Sequence, residues 1–405
     1  MKKYSEIKQK AQINIVKEQG DGAAYFTHYL HNNKEKNTAE YYKKNAEIYI
    51  SDKINEPIET YSDLKIDFNI PFPSPEKPKF TFIDLFAGIG GFRIAMQNIG
   101  GKCVFSSEID KYAKKTYDAN FGEVPFGDIT EISEKNIPEH TVLCAGFPCQ
   151  AFSIAGKRKG FKDETRGTLF YDIARIIKEK QPEAFFLENV KGLTNHDKGR
   201  TLKTVLKVLR EDLNYFVPEP KIMNAKDFGV PQNRERIFII GFRKDLNITK
   251  FEYPKPVKKN PVFADIKEKN EVSAKYYLSV SYLQTLKDHK HRHKSKGNGF
   301  GYKIITENEC TNAIVVGGMG RERNLFVDCR LKDFKPVTGK KGGLNKEYVR
   351  TLTPREWARL QGFPDKFIIP VSDAQAYKQF GNSVAVPAIQ ATAEKIAEHF
   401  LKNYH

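Results

Sequence analysis

The chain has 405 residues, and its 67 basic against 50 acidic side chains give a formal net charge of +17 at pH 7. Its length and its 40% hydrophobic content are typical of a globular protein of two or three domains, and no apolar stretch reaches the roughly 20 residues of a membrane-spanning helix. The positive charge favours a polyanionic partner such as nucleic acid, because phosphates attract lysine and arginine. The cysteines form no CxxC pair and no zinc-ligand spacing, which predicts free thiols, no metal site and a cytoplasmic location; they are Cys103, Cys144, Cys149, Cys310 and Cys329.

Residues 1–79 predict a helical N-terminal extension and a proline-rich linker. The runs YSEIKQKAQINIVKEQ and NTAEYYKKNAEIYI have amphipathic helical patterns, whereas PFPSPEKPK at 71–79 favours extended chain. Two interpretations of the extension stay open: a packing appendage, or a regulatory or dimerising helix-turn-helix.

From residue 80 the pattern changes to alternating strands and helices. The apolar runs that predict strands are 80–86, 102–108, 141–146, 184–190 and 236–242. Such strands indicate an α/β fold with a Rossmann-like, doubly wound and mostly parallel sheet, covered on both faces. We therefore predict a catalytic and cofactor-binding domain at 80–254, an irregular basic domain at 255–345, and a segment at 346–405 that returns to the first core.

The loop between the first predicted strand and helix, DLFAGIGGFR, has the glycines of a cofactor turn. Gly88 and Gly90 let the backbone approach a ligand at the start of a helix. Glu108 ends the second strand about 20 residues later, where a carboxylate meets ribose hydroxyls. Asp128 follows a third predicted strand and is placed to accept from an adenine amino group. The third glycine of a dinucleotide fingerprint is missing, which favours S-adenosylmethionine as the cofactor.

Four polar side chains converge at the same sheet edge. Cys149 follows a strand in GFPCQAFS, Glu188 ends the strand FFLENV, and Arg234 and Arg236 precede another strand in QNRERIF. A thiolate can add to C6 of cytosine if an acid supports N3, and this addition makes C5 nucleophilic. Such a site needs a thiol of lowered pKa beside arginine and a buried glutamate of raised pKa.

Six motifs, in this order and spacing, resemble the cytosine-C5 DNA methyltransferase family of bacterial restriction-modification systems. They are FIDLFAGIGGFR, GFPCQAFS, FLENV, QNRERI, RTLTPREWARLQGFP and QFGNSV. The resemblance runs from about residue 80 to the C-terminus and excludes 255–345.

The resemblance implies a role for each matching residue. Cys149 is the nucleophile, Glu188 contacts N3 of a flipped-out cytosine, and both arginines orient this region. Ser153 and the segment 156–167 resemble a loop that closes over DNA. The family often has an aromatic residue after the ribose-binding acid, whereas this chain has Ile109. The residues expected to line the cofactor pocket are Phe86, Gly88, Gly90, Glu108, Ile109, Asp128, Ile129, Leu169, Asn382, Ser383 and Val384.

The basic region 255–345 is expected to recognise the DNA target. Its densest basic run, KDHKHRHKSKGNGFGYK, predicts phosphate contacts by Arg292 and Lys294 or, alternatively, a solvated loop. Arg321, Arg323 and Asn324 are candidate base readers, since arginine pairs with guanine and asparagine with adenine. The GNGFGY segment and the extension resemble enzymes that recognise short palindromes beginning CC and ending GG.

The expected substrate is double-stranded DNA, with a restriction endonuclease as the genetic partner and a monomeric enzyme. Two alternatives stay open. The first is an RNA cytosine-5 methyltransferase, although the Cys-Phe-Thr signature typical of tRNA-directed relatives is missing. The second is a non-catalytic DNA-binding regulator on the same fold, which the set of Cys149, Glu188 and Arg236 disfavours.

Overall fold

The computed structural model describes most of the chain. Cys149, Ser153 and the segment 156–167, which the sequence singles out, lie outside the described residues. The described residues are 2–32, 36–54, 56–62, 64–148, 169–257, 260–297, 301–318, 320–332 and 343–400.

The N-terminal extension folds into a helical layer, here called the N-terminal layer, formed by the described residues between 2 and 70. Phe26 and Tyr42 of this layer are fully buried in the same hydrophobic cluster as Phe105 and Phe126 of the catalytic region. The layer therefore shares a core with the catalytic region. Its elements are β1 (Lys2–Lys3), α1 (Tyr4–Lys10), α2 (Gly22–Asn32), α3 (Lys36–Ile54) and β2 (Ile66–Asp67).

The catalytic region is built on a seven-stranded sheet with helices packed against it. Its elements are β3 (Phe80–Leu85), α4 (Gly91–Asn98), β4 (Gly101–Ser107), α5 (Lys111–Phe121), β5 (Val142–Gly146), α6 (Leu169–Lys180), β6 (Ala184–Val190), α7 (Arg200–Lys207), β7 (Tyr215–Phe216), β8 (Lys221–Asn224), β9 (Gln232–Asn233) and β10 (Glu235–Arg243). The strand order is β4-β3-β5-β6-β10-β7, with β8 also paired to β10. Strands β3 to β6 are parallel, whereas β10 is antiparallel to β6. The predicted fold class is confirmed.

Both faces of this sheet are buried, which explains the continuous apolar strands. Phe82 and Cys144 lie in one hydrophobic cluster, and their chain neighbours Ile83 and Leu143 lie in the other. Successive side chains of a strand point to opposite faces, so most positions are apolar when both faces are covered. Cys144 is fully buried within its strand and fills the core.

The basic region contains more regular structure than its sequence indicates. Its longest element is a helix of 16 residues, where the sequence predicts irregular chain. The helical pattern is weak because only Leu283 and Leu286 of this helix are buried. The small sheet β11-β13-β14 continues past residue 345, where the predicted domain ends. The elements are α8 (Val280–Ser295), β11 (Lys303–Ile305), β12 (Thr311–Asn312), β13 (Asn324–Val327) and β14 (Val349–Thr351).

The C-terminal segment packs back onto the catalytic region. Ile389 and Phe400 lie in the same hydrophobic cluster as Phe80 and Phe82, and Trp357 is buried there as well. No helix in the described ranges is both long and apolar enough to cross a membrane. The helices of this segment are α9 (Pro354–Leu360), α10 (Asp373–Asn382) and α11 (Val386–Phe400).

Candidate active site

A cavity of about 770 Å³ opens at the carboxyl ends of β3, β4, β5 and β6. Ligands of doubly wound folds bind at this edge, because the loops that leave neighbouring strands meet there. The cavity brings together residues that are far apart in the chain. Those that the sequence singles out are Phe86, Gly88, Glu108, Ile109, Asp128, Ile129, Leu169, Glu188, Arg234, Arg236, Asn382, Ser383 and Val384.

The turn from β3 to α4 forms one wall of the cavity. Phe86 has a φ of 57° and Gly88 a φ of 55°, so the chain passes twice through the left-handed region in a tight turn. Gly90 is not among the residues that line the cavity, and its cofactor contact stays a prediction. A Cβ at Gly90 would lie 2.2 Å from the ring of Phe121, so the glycine is required for helix packing.

Glu108 connects the β3–α4 turn to the end of β4. Its Oε2 accepts from the Gly88 backbone N–H at 2.8 Å, and its Oε1 accepts from the Asp110 N–H at 2.7 Å. Burial raises the pKa of Glu108, although these backbone donors oppose the shift. The carboxylate therefore holds the turn in place while it lines the cavity.

Ile109 and Asp128 line the same cavity with side chains of different polarity. Ile109 is 73% exposed, which leaves its apolar side chain accessible to a ring. Asp128 is also exposed, and its Oδ1 accepts from both the backbone N–H and the hydroxyl of Thr130. The remaining carboxylate oxygen is available to a ligand.

Helix α10 contributes two residues that the sequence reasoning missed. The Lys378 ammonium contacts Asp110 Oδ2 at 2.5 Å across the cavity rim. Gln379 is 6% exposed; its Oε1 accepts from Thr116 at 2.9 Å, and its Nε2 has no hydrogen-bond partner within the described residues. Their helical spacing from Asn382 could have revealed them, since residues three and four positions apart share a face.

Glu188 and Arg236 form the polar centre of the cavity. Arg236 Nε lies 3.0 Å from Glu188 Oε1, and Glu188 is 7% exposed. The contact follows from the register of β6 and β10, which pairs Arg236 with Val190 and Phe238 with Glu188. Burial raises the pKa of Glu188, while Arg236 and Arg234 counteract part of the shift. A carboxyl group of raised pKa can hold a proton near neutral pH and donate it.

Arg234 joins three parts of the chain. Its guanidinium donates to the backbone carbonyls of Ile314 at 2.9 Å, Ser383 at 2.7 Å and Gly381 at 3.2 Å. It is 3% exposed, and burial together with Arg236 lowers its pKa. Its contacts are those of a residue that fixes the position of the basic region and α10 against the cavity.

The strand that leads to Cys149 is also held at the cavity. Gly146 pairs with Glu188 in the β5–β6 register, and a Cβ at Gly146 would lie 3.8 Å from Glu188 Oε2. Asn189 Nδ2 donates to the Phe147 carbonyl at 3.0 Å. Gly146, Phe147 and Pro148 all line the cavity. The residues that precede Cys149 in the sequence therefore line the cavity beside Glu188.

The model of the family described as C-5 cytosine-specific DNA methylase matches residues 80–398. The chain belongs to this family. The predicted family and enzyme class are confirmed: the protein is a cytosine-C5 DNA methyltransferase.

Proteins with similar sequences support the assignment of this chain to the family. The type II methyltransferase M.HpaII of Haemophilus parainfluenzae is 66% identical over 347 residues, covering 85% of this chain and 96% of the relative. The type II methyltransferase M.SsoII of Shigella sonnei is 52% identical over 345 residues, covering 83% and 86%. The solved structure of the Entamoeba histolytica methyltransferase EhMeth matches with a TM-score of 0.60 at 23% identity, covering 78% of this chain and 98% of that one. This last likeness shows the fold.

The basic region of the methyltransferase presents some of its predicted DNA contacts on the surface. Arg292 and Lys294 are exposed in the last turn of α8, where basic residues also suit the helix dipole. Lys290 lies over the ring of Tyr302 at 4.6 Å, which orders this end of the helix. His289 and His293 lie side by side on the same helix, with ring centroids 4.3 Å apart.

The candidate base readers fall into two groups. Arg323 is exposed, and the exposed Arg321 lies over the ring of Tyr377 at 5.6 Å. Asn324 is 2% exposed, in contrast to its predicted base contact. Its Nδ2 donates to the Asn312 carbonyl at 3.0 Å, and its Oδ1 accepts from the Asn312 N–H at 2.9 Å. The structure thus uses this amide to join β12 to β13, and sequence reasoning could not see that pairing.

Proposed function

We propose that this methyltransferase transfers a methyl group from S-adenosylmethionine to C5 of a cytosine flipped out of a short duplex DNA site. The observation that carries the proposal is the Glu188–Arg236 pair, which lies in one continuous cavity with the β3–α4 turn and Glu108. A base and a cofactor bound in this cavity would be neighbours.

The residues present fit a sulfonium nucleoside. The exposed side chain of Ile109 suits the face of an adenine, and Glu108 and Asp128 suit ribose and amino donors. The buried Nε2 of Gln379, which lacks a partner within the described residues, suits the polar amino-acid end. The cofactor supplies an electrophilic methyl group.

The residues of the chain have separate roles at the base. The Cys149 thiolate adds to C6, while Glu188 donates to N3 and Arg236 keeps the Glu188 carboxyl oriented. The electron pair that reaches C5 makes this carbon the nucleophile. Loss of the C5 proton to water and return of the N3 proton to Glu188 then restore the double bond, as the bond between Cys149 Sγ and C6 breaks and the thiolate leaves.

The test replaces Cys149 by alanine, with the exposed Cys329→Ala as the matched control. We expect Cys149→Ala to abolish transfer of labelled methyl groups to duplex DNA and to keep duplex binding in a gel-shift assay, because charge dominates that binding. Substantial methyl transfer by the variant would contradict the nucleophile assignment. Transfer to RNA but not DNA, or no transfer by the wild type, would favour one of the two alternative functions.

We also propose that the target is a palindrome of the CC…GG type, that methylation protects DNA from a cognate endonuclease, and that the enzyme acts as a monomer. The two named relatives are type II methyltransferases, which supports the pairing with a nuclease. Bisulfite sequencing of host DNA that expresses this chain tests the site. Methylation spread over unrelated sequences would contradict a defined palindrome.

A further inference from the structure

We propose that Asp21 of the N-terminal layer is a positioning residue for the cofactor pocket, where it holds the loop that carries Asp128. The inference rests on the proposed function of this pocket. Asp21 lies outside residues 80–398, which the family model matches, so the family assignment says nothing about it. The inference gives the N-terminal layer a share in cofactor binding.

The contact that carries the inference joins Asp21 to the backbone of the pocket wall. The Gly127 N–H donates to Asp21 Oδ1 at 2.8 Å. Gly127 lines the cavity together with Asp128 and Ile129. A Cβ at Gly127 would lie 3.2 Å from the same oxygen, so the carboxylate and the loop are in close contact.

Asp21 accepts a backbone hydrogen bond from the residue that follows the last bonds to the end of β4. Phe126 bonds to β4 in both directions: its N–H donates to the Ser106 carbonyl, and its carbonyl accepts from the Glu108 N–H, both at 2.8 Å. The next backbone donor in the chain is Gly127, and it bonds to the Asp21 side chain. The carboxylate therefore fixes the direction in which the chain leaves β4 towards Asp128.

The N-terminal layer also contacts the residues that precede Gly127. The Val124 N–H donates to Thr27 Oγ1 at 3.0 Å, and His31 Nε2 lies 2.9 Å from the Gly122 carbonyl oxygen. The ring of Tyr25 meets Phe126 edge-on with centroids 4.8 Å apart. Four residues of the N-terminal layer therefore contact residues 122–127, and Asp21 is the one that bonds to the cavity-lining Gly127.

Asp21 is itself held by the helix that follows it. Its carbonyl accepts from the Tyr25 N–H at 2.9 Å, which is the first helical hydrogen bond of α2. Because α2 is packed into the shared core, the carboxylate is anchored to the body of the enzyme. Loss of its Oδ1 acceptor frees the Gly127 backbone without removing a buried apolar group.

The experiment measures binding of S-adenosylhomocysteine by calorimetry and the KM values for S-adenosylmethionine and for duplex DNA. The variants are Asp21→Ala, the conservative Asp21→Asn, and Asp52→Ala, which removes the same charge from an exposed position of the same layer. We expect Asp21→Ala to raise the cofactor Kd and KM roughly three- to ten-fold, the equivalent of one hydrogen bond, with the KM for DNA unchanged. Asp21→Asn, which keeps an acceptor oxygen, and Asp52→Ala are expected to stay near wild type.

The readouts separate positioning from general destabilisation. Hydrogen exchange of the Gly127 amide is expected to accelerate in Asp21→Ala at a temperature where the melting curve shows the variant folded. Equal cofactor affinity in Asp21→Ala and wild type, or an equal loss of affinity for both substrates, would overturn the inference. If the wild type itself bound no S-adenosylhomocysteine, the proposed cofactor function would fail instead.

Discussion

The centre of the proposed active site and the exposed surface of the basic region use arginine in opposite ways. Arg234 and Arg236 are held by backbone carbonyls or by Glu188, and Arg234 is 3% exposed. Arg292 and Arg323 of the basic region are exposed, and neither forms an ion pair within the described part of the chain. Buried and anchored charges fix positions and pKa values, whereas exposed charges provide attraction that salt can screen.

This difference predicts which measured quantity should change when residues of each region are substituted. Substitutions at the buried centre should change the rate of chemistry or the stability of the fold. Substitutions on the exposed basic surface should change DNA affinity and its dependence on salt. Three predictions test this division, from the largest expected effect to the smallest.

Glu188→Gln is expected to have the largest effect, because it removes the acid that we propose supports N3. We expect covalent capture of a duplex with 5-fluorocytosine to slow by roughly 10²- to 10⁴-fold, the usual contribution of a general acid. Burial raises the pKa of Glu188, so wild-type kcat/KM should fall as pH rises through that pKa, and the variant should lack this decline.

The control for this prediction is Glu235→Gln, which changes a partly exposed carboxylate on the neighbouring strand β10; this carboxylate forms an ion pair with Lys191. Its capture rate should match the wild type. An unchanged capture rate in Glu188→Gln would contradict the acid role of Glu188. It would also contradict the proposed difference between the buried centre and the exposed basic surface.

Arg234→Met is expected to destabilise the fold. The substitution takes this donor from the buried carbonyls of Ile314 and Gly381, whereas the Ser383 carbonyl still accepts from Gln361 Nε2. We expect the free energy of unfolding to fall by about 2–4 kcal/mol in urea denaturation, since each buried unsatisfied group costs about 1–3 kcal/mol. Arg323→Met, at an exposed position, should change it by less than about 0.5 kcal/mol. An equal loss of unfolding free energy in Arg234→Met and Arg323→Met would show that burial does not decide how much an arginine stabilises the fold.

The double substitution Arg292→Gln/Lys294→Gln is expected to have the smallest effect. We expect the slope of log K against log salt to become shallower by about 1.8 for two lost phosphate contacts, with the methylation rate at saturating DNA unchanged. The control Lys44→Gln/Lys53→Gln removes the same charge from α3. A shallower slope in the control would assign phosphate contacts to the N-terminal layer.

Particular residues show how far the sequence reasoning reaches. The strand runs and the order of the motifs were sufficient to predict the sheet, its ligand edge and most of the cavity lining. Gly90 and Asn324 show the limit. Each has the residue type that its predicted role requires, but Gly90 packs against Phe121 and Asn324 bonds to Asn312. Both partners lie elsewhere in the chain, so local pattern could not distinguish a ligand contact from a packing contact.

The sequence by itself determined the alternation of strands and helices, the family and the residue types of the site, because these depend on local periodicity and on motif spacing. Only the tertiary structure decided that Arg234 joins the basic region to α10 and that Asp21 reaches the loop of Asp128. These contacts join residues from different helices, strands and loops. They depend on how separate elements pack around a shared core, and that arrangement leaves no periodic signal in the chain.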